Sequence, residues 1–192
     1  MDHIVVDVEI KKTIEETQGG WNATDKLGVA VAVVYEYTSD RFRVFGDTQS
    51  ELLALRQRLL CADRISGFNI WKFDFPVIFG LPGRERVTSL LPKTNDLLRR
   101  IWQSLGLDPD SFSRAHGGWG LDAVVRGTLP GAPGKIANGA MAPIWYQAGR
   151  WGEVVNYCVD DVTLERDLTN FIDQNGFVIN GNTGQKLEIT EK

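Results

Sequence analysis

Apolar and polar positions alternate along this chain in two rhythms. Residues 4–10 run Ile-Val-Val-Asp-Val-Glu-Ile, short and rich in β-branched side chains, and read as a buried strand. Residues 13–26 carry Gly19-Gly20-Trp21 among polar neighbours and read as a loop. Residues 27–37 and 41–46 read as a second and a third strand, with Thr38-Ser39-Asp40 between them as a hairpin connection. Over 50–60 the leucines at 52, 53, 55, 59 and 60 fall at helical spacing. Residues 65–68 predict a short fourth strand, and 72–79 a helix that tolerates Pro76 in its first turn. A fifth strand is expected over 87–91 and a helix over 95–105, ended near Gly106. Residues 119–126 predict a short helix and 127–139 a Gly/Pro-rich loop. A long helix is expected over 151–173, with Val154, Val155, Cys158, Val162, Leu168, Phe171 and Ile172 available to the core. Asn180-Gly181 signals a C-terminal hairpin. Three leading strands, then helices alternating with strands, predict an α/β fold with a mixed five-stranded sheet flanked by helices.

Composition narrows the class without naming an activity. The 192 residues suit one domain spanning 1–192, and no repeat, low-complexity tract or linker interrupts them. The 43% apolar and 24% charged fractions are those of an ordinary globular protein. A net charge of −4 argues against a sequence-independent nucleic-acid coater, which is usually basic. It is compatible with an acidic pocket neutralised by divalent ions. Cys61 and Cys158 form no CxxC pair and no Cys/His cluster, which argues against zinc. Both lie in helix-like stretches with apolar neighbours, so buried free thiols are expected, as in a reducing cytosol. No charged-then-apolar leader precedes the first strand, and no apolar stretch approaches the roughly 20 residues of a membrane span. A cytoplasmic protein with no membrane partner is the expectation.

The candidate chemistry lies at three separated points. Strand periodicity puts Asp7 and Glu9 on one face of the first strand, with Ile4, Val6, Val8 and Ile10 on the other. Two carboxylates on one side of a buried strand need compensation, and carboxylates are hard oxygen ligands for Mg²⁺ or Mn²⁺. An edge strand with solvated acids would show the same Asp-x-Glu. Tyr157 and Asp161 are four apart and share a helix face, while Asp160 points about 100° away. A half-buried tyrosine beside a surface acid would look alike. Asp74 sits in the first turn of its helix, where the dipole favours a negative charge. Asn69 follows the fourth strand, where asparagine is a routine turn residue, and Phe73 fits a core position.

Taken together, the three points resemble a known family. Asp7-x-Glu9 on the first strand, Asn69-x-x-x-Phe73-Asp74 after the fourth and Tyr157-x-x-x-Asp161 on a late helix resemble the three motifs of the DEDDy 3′–5′ exonucleases. These belong to the ribonuclease H-like superfamily, with the proofreading domains of DNA polymerases and ribonuclease D. The resemblance spans residues 4–170 and includes Phe68-Asn69, Tyr157-Cys158 and the segment Gly120-Leu121-Asp122-Ala123-Val124-Val125. Gly19-Gly20-Trp21 is similar to a feature of an uncharacterised bacterial and phage branch. The sister DEDDh group has histidine five residues before the last aspartate. Here that position is Asn156, and the only histidines are His3 and His116, so the tyrosine variant is the one this chain can build. Ile10 departs from the threonine or serine that many relatives carry after the glutamate.

The resemblance implies a ribonuclease H-like fold and a two-metal-ion exonuclease. Such an enzyme hydrolyses terminal phosphodiesters of DNA or RNA and releases nucleoside 5′-monophosphates. Asp7, Glu9 and Asp161 would hold the first of two divalent ions, Mg²⁺ or Mn²⁺. Asp7 would bridge to the second, which Asp74 would reach directly or through water. Tyr157 would orient the attacking water. The implied partner is a single-stranded 3′ end of nucleic acid, with a polymerase or helicase as a candidate companion. Asn69, Phe73, Trp21 (by stacking a base) and Lys135 (by meeting a phosphate) are candidate substrate contacts. Arg84, Arg86, Lys93, Arg99 and Arg100 are a candidate backbone track. Asp96 and Asp122 are expected to cap or terminate local elements. The alternative reading is a catalytically weak or inactive nucleic-acid-binding module of the same fold.

Overall fold

The computed structural model describes residues 1–81, 87–111, 116–132 and 139–190. A five-stranded mixed sheet organises them, in the order β3-β2-β1-β4-β5. The strands are β1 (His3–Ile10), β2 (Val29–Glu36), β3 (Arg41–Phe45), β4 (Arg64–Gly67) and β5 (Thr94–Asp96). β1, β2 and β3 pair antiparallel in succession, while β4 and β5 run parallel to β1. Helices α1 (Gln49–Cys61), α2 (Asp74–Phe79), α3 (Leu97–Ser104), α4 (Leu121–Thr128), α5 (Met141–Gln147) and α6 (Trp151–Asn175) flank it. A two-stranded C-terminal hairpin follows, β6 (Phe177–Ile179) and β7 (Lys186–Glu188).

The faces divide as the strand period requires. Ile4, Val6, Val8 and Ile10 of β1 pack with Leu55 and Leu59 of α1 and with Phe75 and Ile78 of α2. On the opposite face Val5 joins Val31 and Val33 of β2 against Val154, Cys158 and Val162 of α6. β2 is covered on both sides, which explains its unbroken apolar run. A third cluster joins α3, α4 and the second half of α6 through Leu97, Ile101, Val124 and Leu168, and reaches Val178 of the hairpin.

Local signals set the element ends. Thr48 caps α1 by accepting from Glu51 N–H at 3.3 Å. Asp96 caps α3 by accepting from Arg99 N–H at 3.1 Å, the capping role expected of it. Asp122, in the first turn of α4, pairs with Arg126 four residues on. Gly176 ends α6 in the left-handed conformation, φ 73°.

Several expectations need correction. The fifth strand is 94–96, not 87–91; residues 88–93 form a 3-10 turn containing Pro92. Thr94, Asn95 and Asp96 are polar yet all buried, so the hydrophobic pattern could not mark them. α2 starts at Asp74, two residues later than expected, because Asn69 reverses the chain with φ 67°. The helix expected over 119–126 is displaced to Leu121–Thr128. α5, only seven residues long with Pro143 in its first turn, has no counterpart in the elements expected from the sequence. Cys158 is a buried free thiol, but Cys61, the last residue of α1, is an exposed one. Among the described residues no helix is long and apolar enough to cross a membrane.

Candidate metal centre

The site forms where β1 outruns its parallel neighbour. β4 pairs with β1 only from His3 to Val5, runs one residue further beside β5 and then leaves the sheet after Gly67. Beyond that point the side of β1 facing β4 has no ladder partner. Asp74, at the start of α2, takes the vacant place: its Oδ1 accepts from Val8 N–H at 3.0 Å. Asp7 and Glu9 project on the α6 face of the same stretch. α6 crosses that face and contributes Asp161, one turn after Tyr157.

Carboxylate oxygens of Asp7, Glu9 and Asp161 lie within 4.8 Å of one another. Glu9 and Asp161 are buried and Asp7 half-buried. Two unit charges at that separation repel by about 3.5 kcal/mol at an effective dielectric of 20, or more if closer. Three such pairs call for protons or cations. Three hard oxygen donors at this spacing fit a divalent ion of the magnesium or manganese type, and no sulfur or imidazole ligand belongs to the set.

Asp74 is not part of that three-carboxylate set, but it feels it. Burial pushes its carboxyl well above the usual range, the neighbouring charges of Asp7 and Asp96 push it further, and backbone N–H groups including that of Val8 hold it back. Cys158, on α6 beside Tyr157, points its sulfur at Asp7, 3.4 Å from Oδ2 and 3.5 Å from the backbone oxygen. Burial, then the charges of Asp7, Glu9 and Asp161, push its thiol up, so it stays protonated and donates. Tyr157 is buried with its ring edge-on to Trp145 of α5 at 6.0 Å, and its hydroxyl lies beneath Gly139.

The remaining predicted contacts divide. Phe73 precedes Asp74 and packs partly into the sheet core. Trp21 is 68% exposed and stands edge-on to Phe73 at 5.9 Å, so the two form an aromatic lip next to Asp74. Asn69 turns the chain between β4 and α2, and its N–H donates to Asp96 Oδ1 at 3.0 Å. Lys135, Arg84 and Arg86 lie outside the described residues. The rest of the basic track is engaged elsewhere. Lys93 donates to the carbonyls of Leu60 and Ala62, closing the end of α1. Arg99 makes a two-pronged pair with Asp110, and Arg100 reaches Asn95 and Asp173. These three are ties within the protein rather than open phosphate contacts.

Two buried acids were missed or undervalued. Glu165 lies one turn beyond Asp161 on α6, is 1% exposed, and its Oε1 accepts from Phe68 N–H at 3.2 Å. Its signal was available: an acid four residues after Asp161 falls on the same helix face. Asp96, besides capping α3, accepts from Trp71 N–H at 2.9 Å, and burial raises its carboxyl pKa against the pull of the amides of Trp71, Arg99 and Asn69. Compared with known proteins, the chain matches no family model and no curated protein.

Proposed function

We propose that this protein is a metal-dependent 3′–5′ exonuclease of the ribonuclease H-like fold. It would hydrolyse the terminal phosphodiester of a nucleic-acid strand. The observation that carries the reading is the convergence of Asp7, Glu9 and Asp161, drawn from both ends of the chain, with oxygens within 4.8 Å of one another. Asp74 beside Asp7 and Tyr157 one turn before Asp161 complete the five residues of the DEDDy pattern.

In this reading Asp7, Glu9 and Asp161 would hold one divalent ion, and Asp7 and Asp74 would serve a second. Divalent ions bound there supply a nucleophile at neutral pH and neutralise charge on the leaving oxygen. The chain's own groups do the rest. Val8 N–H fixes the carboxylate of Asp74 through Oδ1, close enough to Asp7 for that residue's charge to raise the Asp74 pKa. The Cys158 thiol holds Oδ2 of Asp7 from the α6 side. The phenol of Tyr157 orients a water by hydrogen bonding. The lip formed by Trp21 and Phe73 offers a stacking surface to a terminal base.

The test is incubation of a 5′-labelled single-stranded oligonucleotide with the protein and Mg²⁺ or Mn²⁺. A ladder shortening from the 3′ end is expected, lost in EDTA and in Asp7→Ala. No shortening with either metal, or equal shortening by Asp7→Ala, overturns the proposal. A divalent-independent gel shift without shortening would assign the fold to binding alone.

A further inference from the structure

Three amides of one short turn are gripped by buried carboxylates from two other elements. Phe68 N–H donates to Glu165 of α6, and Asn69 N–H and Trp71 N–H donate to the two oxygens of Asp96 at the end of β5. The turn also holds itself: Lys72 N–H and Phe73 N–H donate to Asn69 O, and Phe75 N–H to Ile70 O. Within it Asn69 adopts φ 67°, the left-handed conformation that asparagine tolerates better than most residues with a Cβ. Gly67, just before, lets the chain pass tightly. A Cβ there would meet Val6 O at 2.7 Å, the side chain of Ile70, and Glu165 Oε2 at 3.4 Å. The carboxylate of Glu165 is therefore wedged between α6 and the mouth of β4.

We propose that Glu165 and Asp96 are positioning residues that lock the Phe68–Trp71 turn. By doing so they fix Asn69, and the entry to Asp74, relative to Asp161 on α6. The inference deepens the nuclease reading and rests on it for its functional half. Glu165 and Asp161 are consecutive turns of one helix, so the Glu165 bond to Phe68 joins the helix of the third motif directly to the turn of the second. Asp96 holds the same turn from its other side. Neither acid needs to touch metal or substrate. Their effect reaches the strand end through Asn69.

The experiment combines amide exchange with a double-mutant cycle. In Glu165→Ala, hydrogen exchange at the Phe68 amide should accelerate, while Glu165→Gln, which keeps an acceptor oxygen, should stay close to the natural protein. On a 5′-labelled single strand with Mn²⁺, Glu165→Ala should raise KM about tenfold, the scale of one lost hydrogen bond. Its effect on kcat should be smaller, and Glu165→Gln should restore KM. In an Asn69→Ala background Glu165→Ala should add nothing, because its effect passes through that turn. Additive effects would mark a general loss of packing and overturn the proposal. So would unchanged Phe68 exchange or unchanged KM. If Glu165→Ala does not fold, Asp96→Asn, which loses an acceptor for Trp71 N–H, is put through the same cycle with exchange read at the Trp71 amide. Faster exchange there and a KM rise that vanishes in the Asn69→Ala background support the lock, and unchanged exchange, unchanged KM or additivity overturns it. An inactive natural protein defeats the nuclease reading instead, and the exchange measurement then decides the lock by itself.

Discussion

Removing one charge from the candidate metal centre should stabilise the protein in EDTA and abolish the response to metal that the proposed site implies. Asp161→Asn tests this because it keeps the shape and deletes two of the three close carboxylate pairs. Each pair within 4.8 Å is worth about 3.5 kcal/mol of repulsion at an effective dielectric of 20. The relief has a ceiling, because the cluster can take up a proton instead. Protonating an ordinary carboxyl at pH 7 costs about 4 kcal/mol. Part of the gain is lost to burying an amide, so a net of about 2 kcal/mol is expected. A domain of this size moves about 2–4 °C in Tm per kcal/mol, so Asp161→Asn should melt about 4–8 °C higher in EDTA at pH 7. With Mn²⁺ the order should reverse. At a hundred times Kd the natural protein gains about 2.7 kcal/mol, or about 5–10 °C, and the variant should gain little. Thermal melts of both proteins in EDTA and in a Mn²⁺ series read all four values. A variant that melts lower in EDTA, or that shifts with Mn²⁺ as the natural protein does, would refute a charge-strained cation site.

Two further outcomes follow from other buried groups. Burial first, and then the charge of Arg64, hold the imidazole of His3 down at about 4, against the opposing pull of Asp173 and Asp2. Between 6.5 and 4 the unfolded chain therefore binds a proton that the folded protein refuses, so His3 contributes a loss of stability as pH falls through that window. With solvent screening of this half-buried ring the loss is about 1–2 kcal/mol, and His3→Phe, which can keep the stack on Tyr37, should remove it. Urea melts of both proteins across the window measure it, and parallel curves would exclude the effect. For the thiols, one equivalent should react with a disulfide reagent in the native state and two in denaturant, since Cys61 is exposed and Cys158 buried against Asp7. Two fast equivalents in the native protein would contradict the packing of α6.

Much of the site was legible because its parts obey simple periods. The period of two placed Asp7 and Glu9 together on β1, and the helical period placed Tyr157 with Asp161. That these two pairs meet was not derivable from either period. It depends on α6 crossing the β1 face over Val5, Val31 and Val33, a tertiary fact. The misplaced fifth strand has a definite cause: its three residues are buried for their hydrogen bonds, as Asn95 donating to Ser66 shows, and not for apolar area. The described members of the basic track are drawn inward for a related reason, while Arg84 and Arg86 lie outside the described residues. Lys93, Arg99 and Arg100 look like a cationic surface in sequence, but each has a carbonyl or an acid brought to it by folding. Glu165 was passed over because an acid on a long amphipathic helix is ordinarily solvated, whereas here it replaces a strand neighbour for Phe68.

The geometry of the sheet explains why the acids gather at this point. In α/β sheets ligands sit beyond the carboxyl ends of parallel strands, where the chain leaves the sheet and backbone groups lose their partners. β4 and β5 stop early here, while β1 continues because β2 still pairs with it as far as Ile10. Every amide released by that early stop must find an acceptor, since a buried unpaired N–H costs about 1–3 kcal/mol. The acceptors are carboxylates: Asp74 for Val8, Glu165 for Phe68, and Asp96 for Asn69 and Trp71. Asp74 therefore has two tasks, closing the open edge of β1 through Oδ1 and standing within reach of the charge of Asp7. This shared duty ties the backbone repair of the sheet to the chemistry proposed for it. An Asp74→Ala change would damage both, whereas Asp74→Asn would keep the bond to Val8 and remove only the charge.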